Sequence, residues 1–128
     1  HADRGKVRFL SHDDCDFTED LARCQAFIGE ASNEALGEAV YLRKPVLALL
    51  NEKQPEQRIN AFYLTRFGLG HATSQRKFSV ETLQNFLDSL GGFEQTLAST
   101  DRSGLAATLD AIECQLGGNW YAWQRQVA

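Results

Sequence analysis

The sequence predicts an α/β domain built on a central parallel sheet. Three observations carry that expectation. Short apolar runs alternate with longer stretches of helical period, the order that successive βα units produce. The run Val46-Leu47-Ala48-Leu49-Leu50 is apolar on both faces, as a central strand covered by helices requires. The chain has 128 residues, close to the commonest domain size, so a single domain with one hydrophobic core is expected across residues 1–128.

Residues 7–10 read as a short strand, followed by a polar break over 11–16. Phe17, Leu21 and Cys24 recur at helical spacing, which predicts a short helix over 17–24. Thr18 is its expected cap, and Glu19 and Asp20 fall in the first turn, where carboxylates meet the positive end of the helix. Ala26-Phe27-Ile28 follows as a short buried strand ending at Gly29. The next helix is expected from Ser32 to about Leu42. Ala35, Leu36, Ala39, Val40 and Leu42 form its apolar face, and Arg43 and Lys44 lie at its negative end. Pro45 prevents its continuation and opens the strand over 46–50.

A loop over 51–54 leads to a helix with Pro55 in its first turn, where proline is tolerated. Its inner face is expected to be Ile59, Phe62, Tyr63, Arg66 and Phe67, with Gly68 as the C-terminal stop. Residues 70–73 read as a weak strand. Ser79 caps a helix over 80–90 that Gly91-Gly92 ends, and residues 93–100 add a helical turn or two. An amphipathic helix runs from Ser103 to Leu116, with Leu105, Leu109, Ile112 and Leu116 on one side. Gly117-Gly118 breaks it, and Asn119 caps a terminal segment bearing Trp120, Tyr121 and Trp123, read as packing residues.

Composition narrows the function classes. No apolar run approaches the roughly 20 residues that span a bilayer, and no signal-peptide pattern is visible, so a cytoplasmic location is expected. The formal charge of −4 leaves no basic footprint for nucleic acid. Cys15, Cys24 and Cys114 lack metal-type spacing and read as reduced, partly buried thiols. Asp13, Asp14 and Asp16 do not form a calcium loop, and His12 and His71 are isolated, so no metal is expected. The chain opens at His1 and contains no Met. It is therefore expected to be a segment of a longer protein, with His1 and perhaps Ala2 foreign to it.

Once these elements are placed, particular residues become informative. The stretch Gly29-Glu30-Ala31-Ser32-Asn33-Glu34-Ala35-Leu36-Gly37-Glu38-Ala39-Val40-Tyr41-Leu42-Arg43-Lys44-Pro45 resembles the small-residue turn, helix and G-x-P-type ending of family 28 glycosyltransferases and their MurG-like relatives. Glu56-Gln57-Arg58-Ile59-Asn60-Ala61 is similar to that family's (E/Q)-Q-x-x-N-A segment, and Gly68 or Gly70 to the glycine after its helix. Two spaced motifs on adjacent βα units are more specific than either alone.

The resemblance implies a Rossmann-like, three-layer fold, the C-terminal half of the two-domain arrangement called GT-B. It implies transfer of a sugar from a nucleotide-diphosphate donor, with a UDP-linked donor expected, to an unidentified acceptor. Glu38 would take the ribose hydroxyls, since both carboxylate oxygens accept hydrogen bonds. Gly29, Ser32 and Asn33 would form the diphosphate turn at a helix N-terminus. Glu56, Gln57 and Asn60 would contact the donor sugar. No cofactor beyond the donor is implied. The acceptor site and the catalytic base are expected in an N-terminal domain of the same protein, so the segment alone is expected to be inactive, and peripheral membrane contact stays open.

The turn also departs from the family. Ser32 stands at a usual glycine, Glu34 or Ala35 at a usual threonine, and Glu30 and Glu34 put negative charge beside the expected diphosphate. Two alternatives therefore stand beside the transferase: a nucleotide-sugar 2-epimerase on the same architecture, and a non-catalytic scaffold with a degenerate phosphate turn.

Overall fold

A computed structural model of the chain describes residues 2–4, 7–11, 16–101 and 104–115. A hairpin opens it. Strand β1 (Ala2–Arg4) pairs antiparallel with β2 (Val7–Phe9), so the strand read over 7–10 has a partner that the sequence pattern did not reveal. Helix α1 (Phe17–Arg23) is capped by Asp16 rather than Thr18. The Asp16 carboxylate accepts the Glu19 N–H at 3.1 Å, which places a full negative charge at the helix start. Phe17 then meets Phe27 edge to face at 5.9 Å.

The domain is organised by β3 (Phe27–Glu30), α2 (Asn33–Tyr41), β4 (Val46–Leu50), α3 (Pro55–Arg66) and β5 (Gly70–Ser74). The three strands form one parallel sheet in the order β3-β4-β5, with Gly29 opposite Ala48 and Leu50 opposite Ser74. The doubly apolar β4 is central, as its sequence requires. Two successive right-handed crossovers that advance in one direction put α2 and α3 on the same face, and these two helices are in contact. Val46 and Ala48 face them and join a core with Leu36, Ala39, Ala61 and Leu64. Leu47 points the opposite way and is also fully buried, so both faces of the sheet are covered.

Both crossover helices end in the same backbone motif. In α2 the Lys44 N–H reaches the Ala39 carbonyl and the Arg43 N–H reaches Val40; in α3 the Leu69 N–H reaches Leu64 and the Gly68 N–H reaches Thr65. This is the Schellman pattern, which needs a left-handed residue just past the helix. Gly68 supplies it at φ +68, whereas α2 uses Arg43 at φ +58. Arg43 thus stands at the C-terminal end of α2, as expected, and is also the turning residue itself. Beyond α3, Gly70 is required by close approach: a Cβ there would lie 2.1 Å from the Val46 carbonyl oxygen.

Three sequence expectations are corrected. The large residues Ile59, Phe62, Tyr63 and Phe67 lie on the outer side of α3, each at least half exposed, while Gln57, Ala61 and Leu64 face inward. Close packing of α3 on the sheet selects the side bearing Ala61 over the aromatic one, and the aromatic residues meet one another instead, Phe62 edge to face with Tyr63 and Tyr63 stacked on Phe67. Gly91 and Gly92 do not end a helix. The break comes earlier, at Ser89, between α4 (Val80–Asp88) and α5 (Leu90–Ser99), and both glycines lie in the first turn of α5. Burial of Phe86 and Leu97, with Phe93 stacked on Phe86, holds that turn despite the glycines. Cys114 is exposed rather than partly buried, while Cys24 is half-buried.

Ser79 caps α4 as expected, accepting the Thr82 N–H. Helix α6 (Leu105–Gln115) forms where predicted, with Leu105, Leu109 and Ile112 exposed. His12, Asp13, Asp14, Cys15, Ser103, Leu116 and the segment bearing Asn119, Trp120, Tyr121 and Trp123 lie outside the described residues. Among the described residues no helix is long and apolar enough to cross a membrane.

Candidate functional site

In open parallel sheets, ligands bind outside the carboxyl ends of the strands. Here that edge carries three loops: residues 31–32 after β3, 51–54 after β4 and 75–79 after β5.

The first loop is short and tightly held. Ala31 is fully buried, and its carbonyl accepts the Asn60 Nδ2–H at 3.0 Å. Ser32 is extended at φ −73, ψ 148, and its Oγ accepts the Ala35 N–H. The first intrahelical bond runs from the Leu36 N–H to the Ser32 carbonyl. Helix geometry then leaves the Asn33 and Glu34 N–H groups directed out of the helix start. Gly29 precedes this turn in β3, with the Phe27 ring lying over it. Glu30, Asn33 and Glu34 are exposed.

The second loop is built around Gln57. This residue is buried, its Oε1 accepts the Asn51 N–H at 2.7 Å, and its Nε2 donates to Gln54 Oε1 at 3.2 Å. The Asn51 side chain in turn accepts the Lys53 N–H at 3.1 Å. Glu56, one residue earlier on α3, is exposed. The expected sugar-contact residues are therefore of two kinds: Gln57 and Asn60 hold loops in place, and Glu56 is open to solvent.

The structure brings some of the sequence-selected residues together and separates others. Asn33 and Asn60 line one groove between α2 and α3, of about 310 Å³, with Gly37, Tyr63 and Phe67 along it. Glu38 is exposed on α2, outside that groove, and no ion pair engages it among the described residues. It lies one turn beyond Glu34, so the two carboxylates share a helix face. The third loop was not singled out from the sequence. With the second it encloses a smaller cleft of about 180 Å³ lined by Asn51, Glu52, Lys53, Ser74, Gln75 and Arg76. Its one sequence signal is Arg76 two residues past a strand of mostly small residues, too common a pattern to stand out. Among the described residues no group of His, Cys, Asp or Glu could hold a metal ion.

Sheet order, crossover helices and the held turn after β3 define a Rossmann-like α/β domain. The chain belongs to glycosyl transferase family 1, whose model matches residues 1–91. Among solved structures it is similar to the spinosyn forosaminyltransferase SpnP, at 20% identity and TM-score 0.58 over 87% of this chain. It is also similar to the glycotransferase of kitacinnamycin, at 17% identity and TM-score 0.56 over 90% of this chain. The matches cover 34% and 33% of those proteins, so the chain spans about a third of their length. No curated protein sequence matches it.

Proposed function

We propose that this chain is the donor-binding domain of a glycosyltransferase of the family 28, MurG-like pattern, acting on a nucleotide-diphosphate sugar. The observation that carries the reading is the turn after β3. Ser32 and the Asn60–Ala31 bond hold it rigid, and the unbonded N–H groups of Asn33 and Glu34 open at the carboxyl edge of the sheet. Such a helix start favours an anion, here the diphosphate. Backbone donors fixed before reaction stabilise charge that develops on the leaving diphosphate without reorganising.

Glu38 would accept from the ribose hydroxyls, and its freedom from ion pairs among the described residues supports this role. Glu56 would meet the sugar directly, while Gln57 and Asn60 would act by fixing the loops that surround it. A UDP-linked donor, a cytoplasmic location and an acceptor-binding second domain complete the proposal.

The exposed carboxylates Glu30 and Glu34 favour a second reading, a non-catalytic scaffold whose turn binds no phosphate. Calorimetric titration with UDP, GDP and TDP separates the two. Donor binding gives saturable heat with at least one nucleotide, weakened about tenfold or more in Glu38→Ala through loss of charge-assisted hydrogen bonds. A flat response to all three nucleotides would overturn the donor reading and leave the scaffold.

A further inference from the structure

The cleft between the second and third loops lies apart from the diphosphate turn proposed above, for none of residues 29–33 lines it, and it shares only the 51–54 loop with the proposed sugar side. Its floor is Ser74, at the carboxyl end of β5. Ser74 alternates with Gly70 and Ala72 on the face turned toward α3, where the fold needs small residues. Smallness does not explain the hydroxyl. Ser74 is only 6% exposed, and its Oγ has no hydrogen-bond partner among the described residues. The Ser74 carbonyl is already occupied by the Lys77 and Phe78 N–H groups. Native interiors rarely leave a buried hydroxyl unmatched, and an alanine would fill the same space.

The walls supply charge. Lys53 and Arg76 line the cleft, both are exposed, and neither is in an ion pair among the described residues. Glu52 is the single carboxylate in the lining. Two cations against one anion make this spot locally positive in a chain whose formal charge is −4. The loops are held before any ligand arrives, by the Asn51 N–H on Gln57, the Lys53 N–H on Asn51, and the Gln75 N–H on the Leu50 carbonyl. A volume of about 180 Å³ is below the roughly 300–1,000 Å³ of pockets that enclose whole ligands, so the cleft suits a group rather than a molecule. A hydroxyl, an ammonium and a guanidinium together offer donors and positive charge, which match an acceptor-only anion.

The geometry points to an oxyanion-binding site at the carboxyl ends of β4 and β5, where Ser74 Oγ, Lys53 and Arg76 hold a carboxylate or phosphate group. The site does not depend on nucleotide binding at α2. Its test is a titration of the ¹⁵N-labelled chain at fixed ionic strength, separately with inorganic phosphate and with glucuronate, using glucose as the uncharged control. The expected result is saturable amide shifts confined to residues 51–53 and 74–76 with at least one anion and none with glucose. Binding should weaken about tenfold in Ser74→Ala and in Arg76→Gln. A response to phosphate alone assigns a phosphate ligand, to glucuronate alone a sugar acid, and to both an oxyanion site without that selectivity. Ser74→Ala should keep or raise Tm, because it deletes an unmatched buried hydroxyl. A clear fall in Tm would make Ser74 structural and overturn its assignment. The absence of local saturable shifts with either anion, or shifts unchanged in both variants, would overturn the site.

Discussion

Replacing Arg43 with glycine should make this protein more stable, although it removes a whole side chain. Arg43 sits at φ +58, in the left-handed region, and ends α2 through the Arg43–Val40 and Lys44–Ala39 hydrogen bonds. A side-chain-bearing residue costs about 1–2 kcal/mol in that region. Glycine loses about 0.5–1 kcal/mol more chain entropy on folding. Arg43 is exposed, and no ion pair among the described residues engages it, so little packing or charge energy is lost with it. The difference leaves Arg43→Gly stabilising by roughly 0.5–1 kcal/mol, or about 2–5 °C in Tm for a chain of this size.

The same fold supplies the control. Gly68 ends α3 in the same motif at φ +68, and a Cβ there would meet Thr96 atoms only at an ordinary 3.7 Å. Gly68→Ala therefore isolates the backbone cost and should lower stability by about 1 kcal/mol. Thermal melts followed by circular dichroism, checked by urea unfolding, measure both. An unchanged or lower Tm in Arg43→Gly would refute the reasoning, as would a Gly68→Ala variant as stable as the parent.

Three further outcomes are expected. Gly70→Ala should destabilise by about 3 kcal/mol, because its methyl would collide with the Val46 carbonyl in the β4–β5 ladder and only backbone movement could relieve it; urea unfolding reads this directly. Gln57→Ala should cost about 1–2 kcal/mol in the absence of any ligand, since it leaves the Asn51 N–H without its acceptor, and hydrogen exchange at Asn51 should accelerate. If the turn after β3 takes a diphosphate, Glu34→Gln should tighten nucleoside-diphosphate binding by about two- to fivefold, an effect that calorimetry should find diminished at high salt.

Much of the central frame was legible in the sequence because local rules and tertiary packing agree there. The doubly apolar run over 46–50 could only be a covered strand. Pro45, Pro55 and the caps Ser32 and Ser79 mark boundaries through backbone chemistry that acts over three or four residues. The two motifs that suggested a glycosyltransferase lie on this frame, and the family match over residues 1–91 includes them.

What the tertiary structure decided concerns choices that periodicity leaves degenerate. Helix α3 has two plausible faces, and the demand for close approach to the sheet chose the side with Ala61 and Leu64 over the side with Ile59 and the bulkier Phe62 and Phe67. Gly91-Gly92 reads as a breaker by propensity, yet burial of Phe86 and Leu97 outweighs that weak local cost. The expected ligand residues Gln57 and Asn60 proved to hold loops across 6 and 29 residues of sequence, a role that only folding could assign. Ser74 at the end of β5, Arg76 just beyond it and Lys53 after β4 line one cleft although they are separated along the chain, because parallel strands place their carboxyl ends side by side. The sequence by itself determined the central strands, the crossover helices and the likeness to glycosyltransferases; contact between distant segments determined that Gln57 and Asn60 brace loops while Glu38 and Glu56 stay open to solvent.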